Sequence, residues 1–394
     1  MFICIAGKNN IAVDVLEYLL NQGIDSDNLG VICNKNETGQ NGWQKSFRFF
    51  AQRYGIKEYR LEEVYSMDDL VFISLEFDQI VKPELFKDAR LYNIHFSLLP
   101  MYKGMYTSAL PILQGEKEVG VTFHKIDRGI DTGDIIKQKK FELEQTDTCR
   151  DLYAKYIKHG TKLVLECIGA VLDDTVVATP QPVEGATYYS KKSIDYSNLS
   201  IDLRQTASGI DRQLRAFHFR EYQLPEVYGK RIIASRFTDI KSAKKPGAIL
   251  LENESSFMLS TIDYNIVLYF DRLEELLIAC KNGDMETVVK ICTVQEHINS
   301  ANSNGWTPLI VAVYNNQIEI ANYLIMHGAD IRVRNNNGTN LLMYAKDAYF
   351  NTKDITLFKL LYELGLDIEE KDYSGRKLAD YVEEEAFKVM MSQI

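Results

Sequence analysis

The chain has 394 residues, of which 46% are hydrophobic and 25% are charged, as in globular proteins of two or three domains. Its net charge of −10 argues against nucleic acid as the main partner, because phosphate backbones are bound by clustered Lys and Arg. No apolar run reaches the roughly 18 residues of a membrane span, and no signal peptide is recognisable at Met1, so we expect a cytoplasmic protein without a membrane partner. The six cysteines are scattered, which predicts reduced thiols and no metal site.

The first 80 residues alternate strand-like and helical patterns. The predicted strands are residues 2–6, 29–34 and 70–75, and the predicted helices are residues 11–20 and 43–54. This alternation predicts a doubly wound, mostly parallel α/β sheet, which binds ligands at the carboxyl ends of its strands. The first turn, Gly7 to Asn10, lacks the G-x-G-x-x-G pattern and so disfavours a dinucleotide site. Lys8 in this turn either pairs with a phosphate or is solvated.

The stretch from Asn93 to Pro100 ends a further predicted strand in polar chemistry. Apolar residues alternate there with Asn93, His95 and Ser97, so a period of two places these three side chains on one side. The next predicted elements are a helix over 104–115, a strand over 119–126, the loop Asp131-Thr132-Gly133-Asp134, and a long helix over 146–172 with Thr148 as its N-cap. His124 in the second strand is an alternative imidazole.

The sequence N-x-H-x-S-L-L-P from Asn93, followed by D-T-G-D from Asp131, resembles the formyltransferases that use N10-formyltetrahydrofolate. The resemblance implies a catalytic set of Asn93, His95 and Asp131. An amide NH₂ suits a developing oxyanion, an imidazole suits proton transfer, and a carboxylate can orient that imidazole. For His124 the resemblance implies a structural role.

The resemblance also implies where the substrates bind. The folate co-substrate is expected against two loops that carry Phe77, Ile80, Asp127 and Ile130. The F-D-x-I and K-P-E-L-F segments within residues 77–86 are most similar to sugar N-formyltransferases that act on dTDP-linked amino-deoxysugars. The implied acceptor is dTDP-3-amino-3,6-dideoxyglucose, for O-antigen synthesis, in an enzyme that is commonly a homodimer. The candidate substrate-binding residues are Lys8, Asn9, Glu76, Tyr102 and Tyr222.

Other functions remain open at this stage. A dTDP-4-amino sugar, methionyl-tRNA or glycinamide ribonucleotide is an alternative acceptor in the same family. A tRNA acceptor requires a basic surface, which a chain of net charge −10 is poorly placed to offer. A non-catalytic adaptor that keeps the transferase fold is the competing class, and the intact set of Asn93, His95 and Asp131 argues against it.

The second half of the chain predicts two further domains. Residues 201–270 contain a predicted helix over 206–217 and four short strands, over 231–237, 247–251, 256–260 and 264–269, which indicate a small β-rich domain after a catalytic domain over 1–200. Residues 271–394 carry an ankyrin pattern, since N-G-W-T-P-L at Gly305 recurs at Gly338 after 33 residues. A further copy follows at Gly375 after 37 residues, which fits an insertion around 347–354. Within this tail, Trp306, Arg334 and Tyr344 form a possible second site for a ligand or a protein partner.

Overall fold

The computed structural model describes all 394 residues, which divide into two compact units. The first unit comprises residues 1–202 and 208–225, and the second comprises residues 203–207 and 226–394. The small β-rich region and the repeats therefore fall in one compact unit, while residues 208–225 belong to the first unit. The finer division into domains 1–200, 201–270 and 271–394 stays a prediction.

The first unit is built around a sheet of seven strands, in the order β3-β2-β1-β4-β5-β7-β8. The strands of this unit are β1 (Phe2–Gly7), β2 (Leu29–Cys33), β3 (Lys57–Glu58), β4 (Leu70–Leu75), β5 (Ala89–His95), β6 (Lys103–Gly104), β7 (Glu118–Lys125), β8 (Ile135–Glu142) and β9 (Tyr188–Tyr189). Its helices are α1 (Asn9–Asn21), α2 (Phe47–Arg53), α3 (Leu61–Val64), α4 (Leu110–Gln114), α5 (Cys149–Leu172) and α6 (Ala207–Phe217). Strands β1 to β5 pair in parallel and β7 and β8 pair antiparallel, which confirms the predicted mostly parallel sheet.

Helix α5 covers the sheet and was predicted from its 3.6-residue period. Thr148 caps it, since its hydroxyl accepts from the Asp151 backbone N–H while the Asp151 carboxylate accepts from the Thr148 N–H. Gly160 allows the helix to approach β5 closely, because a Cβ there would lie 3.2 Å from the Phe96 ring. The helix therefore brings its own side chains close to the end of β5.

Two predicted helices are shorter in the structure than their patterns suggest. The helix predicted over 43–54 begins only at Phe47, because the Ser46 hydroxyl caps it by accepting from the Phe49 N–H. The helix predicted over 104–115 is confined to α4, since Lys103–Gly104 pairs instead with Tyr188–Tyr189. Both differences arise from contacts that a local hydrophobic period does not report.

The second unit combines a small antiparallel sheet with stacked helix pairs. Its strands, in the order β10-β11-β14-β13-β12, are β10 (Glu226–Val227), β11 (Lys230–Lys241), β12 (Ile249–Glu252), β13 (Ser256–Leu259) and β14 (Tyr264–Phe270). Its helices are α7 (Leu273–Asn282), α8 (Met285–Cys292), α9 (Pro308–Tyr314), α10 (Ile318–Met326), α11 (Leu341–Thr352), α12 (Thr356–Glu363) and α13 (Glu384–Met391). The β-rich region and the helical repeats are thus both confirmed.

The repeats bury one continuous apolar core that runs from Leu273 to Met390, because no single helix pair can cover its own apolar face. Helix α11 has 12 residues and α9 has 7, so the longer spacing of the last repeat comes from a longer first helix. None of the helices in the structure combines the length and the apolar character needed to cross a membrane.

Candidate active site

A pocket of about 670 Å³ opens where the parallel strands β4 and β5 end. Neighbouring parallel strands lie about 4.8 Å apart, and Leu75 pairs in register with Ile94, so Glu76 and His95 leave the sheet side by side. The backbone N–H of Lys8, which follows β1, donates to the Leu75 carbonyl at 3.3 Å. A cation, a carboxylate and an imidazole therefore emerge in a row, and all three line the pocket.

His95 is buried and its ring is held at both nitrogens. Its Nε2 lies 2.7 Å from the backbone carbonyl oxygen of Tyr102, so Nε2 carries the proton that is donated there. Its Nδ1 lies 3.5 Å from Oδ2 of Asp131. In the neutral ring, Nδ1 is then the free base, and a proton that it gains would face a carboxylate.

Asn93 is oriented by a second histidine. Its amide Nδ2 donates to Nε2 of His124 at 3.0 Å and contacts Oδ1 of Asp131 at a longer 3.4 Å. His124 Nδ1 donates to the Lys125 carbonyl at 2.7 Å, which leaves Nε2 as the acceptor. Burial lowers the pKa of His124 to about 4, so this ring stays neutral near pH 7. The longer contact, to Asp131, is the one that the oxygen atom of a bound substrate can replace.

Asp131 is held by two further segments, beside its contacts with Asn93 and His95. Its Oδ2 accepts from the Gly104 N–H at 2.8 Å, and Gln181 Nε2 donates to the carbonyls of Asp131 and Gly133, each at 2.8 Å. Its φ of 54° lies in the left-handed region. Of the ten non-glycine residues with positive φ, Asn9, Glu76, Tyr102, Tyr106 and Asp131 all lie at or beside this pocket. Such backbone strain clusters at functional sites.

Glu76 carries a second network at the pocket wall. Its carboxylate accepts from the Tyr153 hydroxyl, 2.7 Å from each oxygen, and from Asn9 Nδ2 at 3.2 Å. Its backbone carbonyl accepts from Asn34 Nδ2 at 2.8 Å. Burial raises the pKa of Glu76, while the Lys8 charge and the hydrogen bonds from Tyr153 and Asn9 oppose that rise.

The structure brings most of the predicted first-unit site residues to one pocket. The residues that line it include Lys8, Glu76, Phe77, Ile80, Asn93, His95, Asp127, Ile130 and Asp131. Asn9 lies just behind the wall, bonded to Glu76.

Three polar residues lie elsewhere than the sequence pattern suggests. The Tyr102 side chain is buried away from the pocket, because its hydroxyl donates toward Gln114 and Glu116, and only its carbonyl reaches His95. Tyr222 is 62% exposed and packs on Phe219 and Trp43 outside the pocket lining. Ser97 donates to the Met101 carbonyl at 2.6 Å instead of facing the pocket.

Two regions of the chain match known protein families. Residues 1–168 match the family model described as Formyl transferase, and residues 276–372 match the model of ankyrin repeats in three copies. The solved N-formyltransferase from Helicobacter canadensis, in complex with folinic acid and dTDP-3-aminofucose, is 43% identical with a TM-score of 0.64; the match covers 69% of this chain and 100% of that one.

The chain belongs to the formyltransferase family. It is an N-formyltransferase with C-terminal ankyrin repeats, as the sequence predicted. WlaRD, solved as a sugar 3N-formyl transferase with dTDP and 5-N-formyl-THF, is 42% identical with a TM-score of 0.64, over 69% of this chain and 98% of that one.

The match to curated relatives covers less of their length than the match to these two solved structures. Methionyl-tRNA formyltransferase from Fervidobacterium nodosum is 30% identical over 228 residues, which are 55% of this chain and 71% of the relative. The corresponding enzyme from Nitrosospira multiformis is spanned over only 56% of its length. The ankyrin region lies outside the family match over residues 1–168.

Several site residues of this formyltransferase were missed by sequence reasoning. Tyr188 and Lys191 line the pocket, and Gln181 holds the Asp131 loop, although no motif marks the segment over 173–200. Tyr153 was missed because its position in α5 shows no motif. His124 was named from the sequence with an implied structural role, and strand pairing places it opposite Asn93.

Gly133→Ala is expected to lower both the stability and the turnover of the formyltransferase. A Cβ at Gly133 would lie 1.8 Å from the Lys125 carbonyl oxygen, so the loop must move and displace Asp131. Overpacking of this kind costs about 1 to 3 kcal/mol, measurable by urea unfolding. Gly169→Ala is the matched control, because nothing lies within 4 Å of that helical position, and it should stabilise by up to about 1 kcal/mol. Wild-type stability of Gly133→Ala would contradict the prediction.

The second unit brings together two of the three residues predicted for a further site. The Trp306 ring lies 6.3 Å from the Tyr344 ring and 6.2 Å from the Tyr314 ring, and it packs, partly buried, on the core of the repeats. The turn folds back there, because Asn302 Oδ1 accepts from the Trp306 N–H. Arg334 is engaged with the Lys371 carbonyl and with Glu370, in the following repeat.

Proposed function

We propose that this enzyme transfers a formyl group from N10-formyltetrahydrofolate to the amino group of a dTDP-linked amino-dideoxysugar, with dTDP-3-amino-3,6-dideoxyglucose as the expected acceptor. The observation that carries the proposal is the meeting of Asn93, His95 and Asp131 at one pocket. The acceptor class is supported by two solved relatives above 40% identity, of which one holds dTDP-3-aminofucose and the other is a sugar 3N-formyl transferase. Use of the product in O-antigen synthesis and a homodimeric state remain predictions.

His95 is the base in this proposal. Its Nδ1 is free to accept a proton because Nε2–H is committed to the Tyr102 carbonyl. The acceptor nitrogen forms its bond to the formyl carbon, the bond from that carbon to N10 breaks, and the proton of the amine passes through His95 to N10. The Asp131 carboxylate, 3.5 Å from Nδ1, stabilises the imidazolium in between.

Asn93 supplies the donor for the oxyanion that develops on the formyl oxygen. One proton of the Asn93 amide is donated to His124. The other points toward Asp131, whose Oδ1 lies 3.4 Å from Nδ2, a long and therefore weak hydrogen bond. A negatively charged oxygen competes well for that second proton, since hydrogen bonds to charged groups are stronger. His124 thus acts through Asn93, by holding the plane of the amide.

The pocket fits a folate co-substrate. Phe77, Ile80, Ile126 and Ile130 supply an apolar wall for a flat ring, and 44% of Ile130 and 71% of Ile80 remain exposed for such a ring to cover. Asp127 is on the same wall. Lys8 and Glu76, which also line the pocket, offer opposite charges to an acceptor that carries phosphates and an amine.

A turnover assay decides the acceptor. The enzyme is incubated with N10-formyltetrahydrofolate and a panel of dTDP- and UDP-linked 3-amino and 4-amino sugars, with charged methionyl-tRNA in parallel. We expect turnover with dTDP-linked 3-amino sugars, and the highest kcat/KM with dTDP-3-amino-3,6-dideoxyglucose. Turnover with tRNA alone would reverse the acceptor assignment, and turnover with no acceptor would favour the non-catalytic adaptor.

The aromatic cluster of Trp306, Tyr314 and Tyr344 is a candidate second ligand site. Tyr314 is 40% exposed beside the Trp306 ring, a surface that flat ligands cover well. Calorimetric titration with the nucleotide-sugar is expected to give two sites per wild-type chain and one in Trp306→Ala. Tyr362→Ala removes an exposed aromatic side chain of α12 as the control and should keep both sites. Equal stoichiometry in wild type and Trp306→Ala would count against a ligand here.

A further inference from the structure

Tyr153 of helix α5 sits behind the pocket wall with its hydroxyl in a forced orientation. The phenol oxygen accepts from Asn9 Nδ2 at 2.9 Å and from Gln44 Nε2 at 3.1 Å. Both amide groups can only donate through these nitrogens, so the single hydroxyl proton has Glu76 as its remaining partner. The hydroxyl lies 2.7 Å from both Glu76 oxygens, so it donates this proton in a hydrogen bond to the carboxylate.

The Tyr153 ring is locked in place by three aromatic neighbours. Its centroid lies 5.7 Å from Trp43, 6.0 Å from Phe96 and 5.6 Å from Phe219. Burial, and then the Glu76 charge, raise the pKa of Tyr153 well above its usual value, so the hydroxyl remains a donor at any physiological pH. Glu76 is therefore fixed from behind by a rigid, protonated phenol.

Glu76 itself stands at the pocket wall beside the proposed base. It lines the pocket, follows β4 directly, and lies beside His95 through the register of Leu75 with Ile94. A carboxylate has about four acceptor positions, of which Tyr153 and Asn9 use only those behind the wall. The others are left for the N–H groups of the acceptor's amine, which must be held while His95 takes its proton.

We propose that Tyr153 is a positioning residue for the acceptor, which fixes the Glu76 carboxylate as the anionic partner of the acceptor's amino group. The proposal rests on the proposed function, because it concerns the acceptor side of the same pocket. Tyr153 lies outside the pocket lining, so it acts through Glu76 without touching the substrate.

The test compares Tyr153→Phe with Tyr156→Phe. Both changes remove one hydroxyl from α5, but the Tyr156 hydroxyl donates to the Thr107 carbonyl at 3.2 Å and has no contact with Glu76. Tyr153→Phe should raise the KM for the nucleotide-sugar by about 10- to 100-fold, as expected for a lost hydrogen bond to a charged group. The KM for N10-formyltetrahydrofolate should change less than about twofold, and Tyr156→Phe should leave both constants near wild type.

Two readouts separate positioning from general damage. The acid limb of the kcat/KM profile should move to higher pH in Tyr153→Phe, because the phenol that favours ionised Glu76 is gone. In a Glu76→Gln background, Tyr153→Phe should change the sugar KM by less than about twofold, since the two residues act as one unit. An equal rise in both substrates' KM values, or the full effect in the Glu76→Gln background, would overturn the proposal.

The wild-type assay keeps this proposal separate from the proposed function. If wild type formylates amino sugars and Tyr153→Phe has the same kinetic constants, the positioning role of Tyr153 is wrong and the proposed function stands. If wild type formylates methionyl-tRNA instead, the proposed acceptor falls, and the same pair of variants is compared on the amine of that acceptor. Thermal unfolding midpoints of both phenylalanine variants confirm that folded enzymes are being compared.

Discussion

Replacing His95 by glutamine is expected to lower kcat by about 100- to 10,000-fold, the usual contribution of a general base. The glutamine NH₂ can still donate to the Tyr102 carbonyl, which accepts from His95 Nε2 at 2.7 Å in the wild type. The carboxamide has no basic nitrogen to replace the imidazole Nδ1, so it cannot take a proton. The variant should therefore fold and bind both substrates while the chemical step slows. Single-turnover kinetics with saturating substrates measure that step directly.

His159→Gln is the matched control for this experiment. His159 lies in α5, stacked on Phe141 at a centroid distance of 4.4 Å, and takes no part in the pocket. Its replacement should leave kcat within about twofold of wild type. Undiminished turnover of His95→Gln would remove His95 from the mechanism and would leave the pocket without its proposed base.

The second large effect is expected for Asn93→Ala, with kcat lower by about 100- to 1,000-fold, as when one oxyanion donor is lost. The change removes the amide that His124 orients and that faces the formyl oxygen in the proposed mechanism. Because this interaction develops only in the transition state, the KM values should change far less than kcat. Steady-state kinetics with each substrate varied in turn separate the two constants.

Ser97→Ala provides the comparison for Asn93→Ala. Ser97 shares the polar alternation with Asn93 and His95, but its hydroxyl donates to the Met101 carbonyl and lies outside the pocket lining. Its loss should cost about 1 kcal/mol of stability and leave kcat nearly unchanged. A rise in KM without a fall in kcat for Asn93→Ala would argue for substrate binding instead of oxyanion stabilisation.

Local patterns predicted the elements that position this site. Strand β4 begins and ends at the predicted residues, and the 3.6-residue period and Thr148 cap anticipated α5. The motif around Asn93 predicted that an amide and an imidazole line this pocket, because both residues lie at the end of one strand and a motif records the residue types within such a segment. Ser97 shows the limit of the same reasoning, since the chain turns after β5 and a period of two no longer applies.

What the sequence by itself determined is the chemistry available in each segment: the N-x-H and D-T-G-D motifs, the parallel sheet and the ankyrin period of 33 residues between Gly305 and Gly338. What only the tertiary structure decided is which distant groups share a hydrogen bond. Tyr153 and Glu76 are 77 residues apart, and Gln181 and Asp131 are 50 residues apart. Such pairs are determined by the packing of α5 and of the segment after it, because a hydrogen bond depends on where two elements meet. The hydrophobic pattern of one element indicates only which of its own faces is buried.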